Sequence, residues 1–250
     1  MGEKIVVVGV GEIGRPLLEL IREHYEVVGV DIEPVEIHGK CSIMHICFPF
    51  AIPDFNGTVA EYMDRYDPAL TIINSTVRPA TTRAIAERTG REVVHSPIRG
   101  KHAKMRQDLL FYAKFIGGLR EEATLQAAKH FQKVGLKTKT KILDSPEATE
   151  LAKLTETTYF GLLISWAQEV ERYCRQFGLS YDDVASFYDE ISFFPPARYF
   201  PGVIWGRCVM SNIRILKGVV KSDILDAIEK SNEMKMRSDE RGSRETQERK

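Results

Sequence analysis

The stretch Ile5-Val6-Val7-Val8-Gly9-Val10-Gly11-Glu12-Ile13-Gly14 decides how this chain folds. Four consecutive aliphatics predict a strand buried on both faces. Behind the glycines, Ile13, Leu17, Leu18, Leu20 and Ile21 fall at helical spacing, and Pro16 stands in the first turn, where a missing N–H costs little. A strand, a glycine turn and a helix start together form an anion site. Gly9 makes the tight turn, Gly11 lets a pyrophosphate approach the backbone, and Gly14 lets the helix pack close to the sheet.

Glycines at this spacing also mark ordinary tight turns, so the context matters. A second strand, Glu26-Val27-Val28-Gly29-Val30, ends in Asp31, 20 residues after Gly11. The dinucleotide fingerprint places an acid there to bind a ribose 2′-hydroxyl. Ile32, Glu33 and Pro34 follow with no Arg, so a 2′-phosphate would meet two carboxylates. The expected cofactor is NAD rather than NADP. The alternative is a βαβ unit that has lost its ligand.

At 250 residues and 43% hydrophobic composition, the chain can bury one good core and a second, smaller one. Lys+Arg and Asp+Glu both number 35, so no global field steers the protein to nucleic acid or to an anionic membrane. Cys41, Cys47, Cys174 and Cys208 show neither CxxC nor zinc-ligand spacing. His38, Cys41, His45 and Cys47 lie close together, but His45 and Cys47 alternate with apolar residues inside a predicted strand, which argues against a metal site. No leader and no apolar run of spanning length is read, so a cytoplasmic protein is expected.

Further strands are predicted at residues 42–47, 70–74, 92–95, 114–117 and near 137–141, with helices over 58–65 (Asn56 capping), 80–89 and 121–134. This alternation predicts an α/β fold, a parallel, doubly wound sheet of the Rossmann type. Its ligand site lies beyond the carboxyl ends of the strands. There the cofactor set is Gly9, Gly11, Glu12, Ile13, Gly14, Asp31, Ile32, Phe48, Pro49, Ser75 and Thr76. The pattern changes at Asp144-Ser145-Pro146-Glu147, where serine before proline signals a helix start.

One long helix follows, about residues 146–177, closed by Gly178, so that a smaller all-α domain built on it succeeds the sheet. Leu151, Leu154, Tyr159, Leu162, Leu163, Trp166, Val170, Tyr173 and Phe177 make an apolar stripe that is a core face or a face shared with a second subunit; it is too long for one small domain to cover alone, and a homodimer is expected. Lys153, on another side, reads alone as a solvated helix lysine. A helix over 180–189 with a serine cap, an aromatic and proline-rich loop at 193–202 and a helix over 213–220 come next. The expected division is 1–143 for the nucleotide, 144–230 for a helical central or dimerisation domain, and a charged tail, 231–250, read as a fraying helix or as disordered.

The order of motifs resembles the UDP-glucose/GDP-mannose dehydrogenase family. Ile46-Cys47-Phe48-Pro49 loosely matches its I-x-V-x-T-P stretch, and Ser75-Thr76-Val77-Arg78-Pro79-Ala80-Thr81-Thr82 matches S-T-V-x-P-G-T-T. Thr149-Glu150-Leu151-Ala152-Lys153 matches A-E-L-x-K, and Trp205-Gly206-Arg207-Cys208-Val209-Met210-Ser211-Asn212 resembles the G-G-x-C-x-P-x-D segment. The resemblance implies NAD-dependent oxidation of a sugar-nucleotide alcohol to the acid in two hydride transfers. By the same resemblance Cys208 is the nucleophile that passes through a thiohemiacetal and a thioester, Lys153 stabilises the oxyanion, and Thr76 positions water; taken alone, Cys208 reads as a packed thiol. A thiolate beside an ammonium suits that chemistry.

Several positions depart from the family pattern. Thr157 stands where an asparagine is expected, and Asn212 where an aspartate would act as a base. Asparagine cannot take a proton. Pro97-Ile98-Arg99-Gly100-Lys101-His102 replaces P-E-F-L-x-E, so two glutamates are gone, and the chain ends before the family's C-terminal domain. Arg99, Lys101 and His102, with Arg78, suit an anionic substrate, the alternative being an ordinary charged loop. The function expected is an NAD-dependent dehydrogenase acting on CH–OH. The alternative is a non-catalytic NAD-binding sensor or partner subunit.

Overall fold

The computed structural model describes residues 4–33, 35–100, 102–136, 140–190, 199–205 and 208–248. The chain divides into two compact units, Met1–Lys153 and Leu154–Lys250.

In the first unit the elements run β1 (Lys4–Val8), α1 (Gly14–Arg22), β2 (Glu26–Val30), β3 (Cys41–Ile46), α2 (Phe55–Tyr66), β4 (Leu70–Ile73), α3 (Thr81–Thr89), β5 (Val93–His95), α4 (Met105–Phe111), β6 (Lys114–Gly118), α5 (Glu121–Lys133) and β7 (Thr140–Leu143). The strands form one seven-stranded sheet in the order β2-β1-β3-β4-β5-β6-β7. Successive side chains of a strand point to opposite faces, and the core obeys this. Ile5 and Val7 pack with Ile43, Ile72 and Ile116 under α1, α4 and α5, through Leu17, Ile21, Met105, Leu109, Ala127 and Phe131. Val6 and Val8 pack with Met44, Ile46 and Ile73 under α2 and α3, through Phe55, Val59, Met63 and Ile85. Helices on both faces make the sheet doubly wound, the predicted class.

One junction departs from a uniformly parallel sheet. β6 pairs with β5 antiparallel, and β7 then runs parallel to β6. The connection after β5 stays at the carboxyl end of the sheet, carries α4, and enters β6 from there. No crossover to the opposite end is then needed. The helix α4, absent from the sequence reading, buries only Met105 and Leu109, too few apolar residues to announce a seven-residue helix. The cap of α2 also differs: Asp54, not Asn56, holds the first turn, its carboxylate accepting from the Gly57 N–H at 2.9 Å. Ser145 caps α6 (Pro146–Phe177) as predicted, accepting from the Ala148 N–H at 3.2 Å. Ser180 sits at the N-cap of α7 (Tyr181–Ala185) without making a side-chain cap bond.

In the second unit, α6 from Leu154 onward packs with α8 (Val209–Lys217) and α9 (Asp223–Glu248) around Leu154, Ile204, Ile213, Leu216, Leu225 and Ile228. Gly161 permits the close approach, since a Cβ there would lie 3.0 Å from Val209 and 3.3 Å from Ile213. Along this part of α6 the apolar residues divide. Leu154 and Val170 are buried, while Tyr159, Leu162, Trp166, Tyr173 and Phe177 are exposed. Among the described residues, no helix is long and apolar enough to cross a membrane.

Candidate functional site

The glycine loop leaves β1 beside the end of β3. Gly9 adopts φ +89, a backbone state that favours glycine, and a Cβ on it would lie 2.6 Å from the Phe48 nitrogen. A Cβ on Gly14 would lie 1.8 Å from the Gly9 carbonyl oxygen. Both glycines are therefore required by the fold itself. Gly11 differs, for a Cβ there would meet nothing within 4 Å. Glu12 is exposed and Ile13 is half-buried at the N-cap of α1, where it has no side-chain cap to offer. The first turn of α1 carries no acid. Its N-terminal N–H groups and the positive end of its dipole thus suit an anion.

Asp31 follows β2 with its side chain exposed, and its carbonyl accepts from the Tyr62 hydroxyl at 3.2 Å. Ile32 is 91% exposed. It borders an open cleft of about 630 Å³ with Thr58, Glu61, Tyr62, Asp64 and Arg65 of α2. Phe48 packs on Phe55 at 5.1 Å, while Pro49 is exposed. The Ser75 hydroxyl donates to the Phe48 carbonyl at 2.6 Å, so the end of β4 is tied to the loop beneath Gly9. Thr76 is half-buried next to it. The fold thus gathers Gly9, Gly14, Phe48, Ser75 and Thr76 along the carboxyl edge of the sheet.

Lys153, the last residue of the first unit, is half-buried, and its charge bears on His95 and Lys114. Arg99 is half-buried beyond β5, its guanidinium 5.1 Å from the Tyr112 ring and 5.7 Å from the Phe115 ring. Arg78 is exposed over Phe50 at 5.4 Å. Lys101 and the His102 side chain lie outside the described residues.

Among the predicted catalytic residues, the second unit brings three together. Cys208 is exposed at the N-cap of α8, and its carbonyl accepts from the Asn212 N–H at 3.0 Å. Asn212 is buried, and its amide donates to the Thr157 hydroxyl at 3.1 Å. The segment before Cys208 is held in turn. Asn232 accepts from the Ile204 N–H at 2.7 Å, and Gln168 donates to the Gly202 carbonyl at 2.8 Å. The sequence reading missed Gln168 and Asn232, whose one visible signal is a polar residue interrupting an apolar helical face.

Buried polar residues behind the sheet edge were missed as well. Lys114 donates to the Ser96 and Pro97 carbonyls at 2.8 and 3.1 Å, and burial lowers its pKa to about 7. His45 faces His130 at 2.9 Å and Asn74 at 3.4 Å, and burial holds its pKa well below the usual histidine range. Burial raises the Cys47 thiol to about 12, so it is an inert packing group.

The fold and the glycine loop define an α/β unit of the Rossmann type joined to a helical unit. Residues 147–234 match the UDP-glucose/GDP-mannose dehydrogenase family, central domain. The chain is 27% identical over 259 residues to the UDP-N-acetyl-D-mannosamine dehydrogenase of Methanococcus maripaludis, covering 83% of this chain and 59% of that protein. The solved UDP-D-ManNAc dehydrogenase from Pyrococcus horikoshii shares the fold, with TM-score 0.77 at 23% identity over 92% of this chain and 68% of that one. A Mycobacterium tuberculosis 3-hydroxyisobutyrate dehydrogenase shares it with TM-score 0.69 at 14% identity over 94% of both chains. The chain is thus similar to members of the UDP-glucose/GDP-mannose dehydrogenase family, in keeping with the order of its motifs, and spans 59% of the length of the first of these relatives.

Proposed function

We propose that the chain is an NAD-dependent oxidoreductase that oxidises an alcohol of a sugar nucleotide. Gly11 carries this reading. Gly9 and Gly14 lack side chains because the fold leaves no room, whereas Gly11 lacks one where the space is open. Its bare backbone is then explained by a ligand that must come close. NAD, when bound, would supply the hydride acceptor.

In this reading the N–H groups at the start of α1 hold the pyrophosphate, Asp31 binds the adenosine ribose, and Ile32 borders the adenine end. Phe48, Pro49, Ser75 and Thr76 line the remainder. Lys153 serves as base or polarises the carbonyl oxygen, with Thr76 placing a water molecule. Cys208 is the nucleophile of a second oxidation, supported by Asn212 and Thr157. Asn212 cannot take a proton, so one oxidation asks less of these residues than two. Arg99, Lys101 and His102 would meet the anionic part of the substrate. The relatives' names make a UDP-N-acetylhexosamine the first substrate to try. The exposed aromatic face of α6 would be covered by a second copy of the chain.

NADH formation with NAD and a panel of UDP-sugars tests the proposal. Two NADH per substrate, lost in Cys208→Ala, would establish the thioester route. One NADH, lost in Lys153→Ala but not in Cys208→Ala, would establish a single alcohol oxidation. Tight NAD binding with no turnover on any substrate would replace the enzyme with an NAD-binding sensor or partner subunit.

A further inference from the structure

The first turn of α6 reaches back to the loop between β4 and α3. Thr149 and Glu150 are adjacent, and neither has exposed surface. Glu150 holds the far end of that loop. Its Oε2 accepts from the Ala80 N–H at 2.7 Å, and its Oε1 accepts from the Thr82 N–H at 2.9 Å and the Thr82 hydroxyl at 2.6 Å. These backbone donors belong to the start of α3, where a helix has no partners of its own to offer. Ala80, at the N-cap of α3 with φ +71, makes no side-chain cap. A carboxyl group from elsewhere takes that place, its oxygens accepting from the N–H groups that the helix leaves unpaired.

Thr149 holds the near end through His95. Burial lowers the His95 pKa to about 3, so the ring is neutral at physiological pH. The Ser75 carbonyl can only accept, so Nε2 carries the ring proton and donates to it at 3.1 Å. Nδ1 is then an acceptor, and the Thr149 hydroxyl donates to it at 2.7 Å. The Pro146 carbonyl, 2.8 Å from the same hydroxyl, is the acceptor that its single proton forgoes.

We propose that Thr149, His95 and Glu150 form a buried strap that fixes both ends of the 75–82 loop and so positions Ser75 and Thr76 for the cofactor. This rests on the reading of Ser75 and Thr76 as cofactor residues given above. The three strap residues are positioning residues. Because Lys153 follows Glu150 by three residues, the strap also ties the turn that bears Lys153 to the same loop.

Amide hydrogen exchange on the full chain, resolved by residue, tests the strap without any ligand. In Glu150→Gln the amides of Ala80 and Thr82 should exchange at least tenfold faster. In Thr149→Val the amides of residues 75–77 should do the same, and Thr149→Ser, which keeps the hydroxyl, should restore them. Amides of α1 should be unchanged in all three. Unaltered exchange in the loop would overturn the strap, and so would an equal rise across α1, which would mean a general loss of stability. If Glu150→Gln does not fold, the Thr149 pair decides.

NAD titration by calorimetry then tests positioning. Affinity should fall about tenfold in Glu150→Gln and Thr149→Val and return in Thr149→Ser. A loosened loop with unchanged affinity would overturn the positioning role. Wild-type protein that bound no NAD would overturn the proposed function instead, and the exchange measurement would still decide the strap.

Discussion

A single glycine separates what the fold needs from what a ligand needs. Gly14→Ala drives a methyl group into the Gly9 carbonyl at 1.8 Å, so it should lower the melting temperature and abolish NAD binding together. Gly11→Val meets no protein atom within 4 Å of its Cβ, so it should leave the melting temperature near that of the wild type and lower NAD affinity at least tenfold. Calorimetric titration beside thermal melting separates the two. Glu150 has a signature in pH. Burial outweighs its three hydrogen bonds and raises its pKa to about 7, above the value near 4.5 of the unfolded chain. The folded state therefore holds the proton more tightly than the unfolded state between those values. The contribution of Glu150 to stability is fully present below pH 4.5 and is lost as pH rises through 7. Glu147, whose charge faces Glu150, raises its pKa further, and Arg83 partly offsets this by pairing with Glu147 at 2.6 Å. Denaturant melts of wild type and Glu150→Gln across pH 5 to 8 should show this downward slope in the wild type alone.

Among the helices, α5 shows how far periodicity reads packing. Its alanines and Phe131 lie at the spacing of a buried face, and Phe131 is fully buried there, with its ring 4.9 Å from the Lys114 ammonium. Phe131→Ala should cost about 3–5 kcal/mol, by lost transfer energy and the cavity left behind, and a chemical denaturation curve would measure it. α1 and the start of α6 were equally legible, since a glycine turn and a serine before proline are local signals. α4 was not, because seven residues with two buried apolar side chains carry too little pattern. The direction of β6 was illegible for a different reason. A short apolar run reads the same whichever way its strand lies beside a neighbour, and pairing decides the direction.

Across the whole molecule, the aromatic face of α6 bears on assembly. Tyr159, Trp166, Tyr173 and Phe177 are each more than 40% exposed, an unusual surface for a solitary helix. If a second copy covers it, light scattering should give twice the chain mass. Trp166→Glu, which puts a charge into that face, should then shift the protein to monomer with its far-ultraviolet circular dichroism unchanged. A wild-type monomer at micromolar concentration would end the dimer proposal.

The strand, the glycine turn, the first helix and the acid after β2 were legible in the sequence itself, because each is announced by a pattern of residues a few positions apart. So was the family likeness, which is carried by short motifs in order. Tertiary structure alone decided the antiparallel turn at β6 and the open space before Gly11. It also decided that a carboxylate at residue 150 would cap a helix that begins at residue 81. The physical reason is range. Hydrogen-bonded turns and helical periods are written in neighbouring residues, whereas a buried charge finds its partners only once distant segments have been packed together.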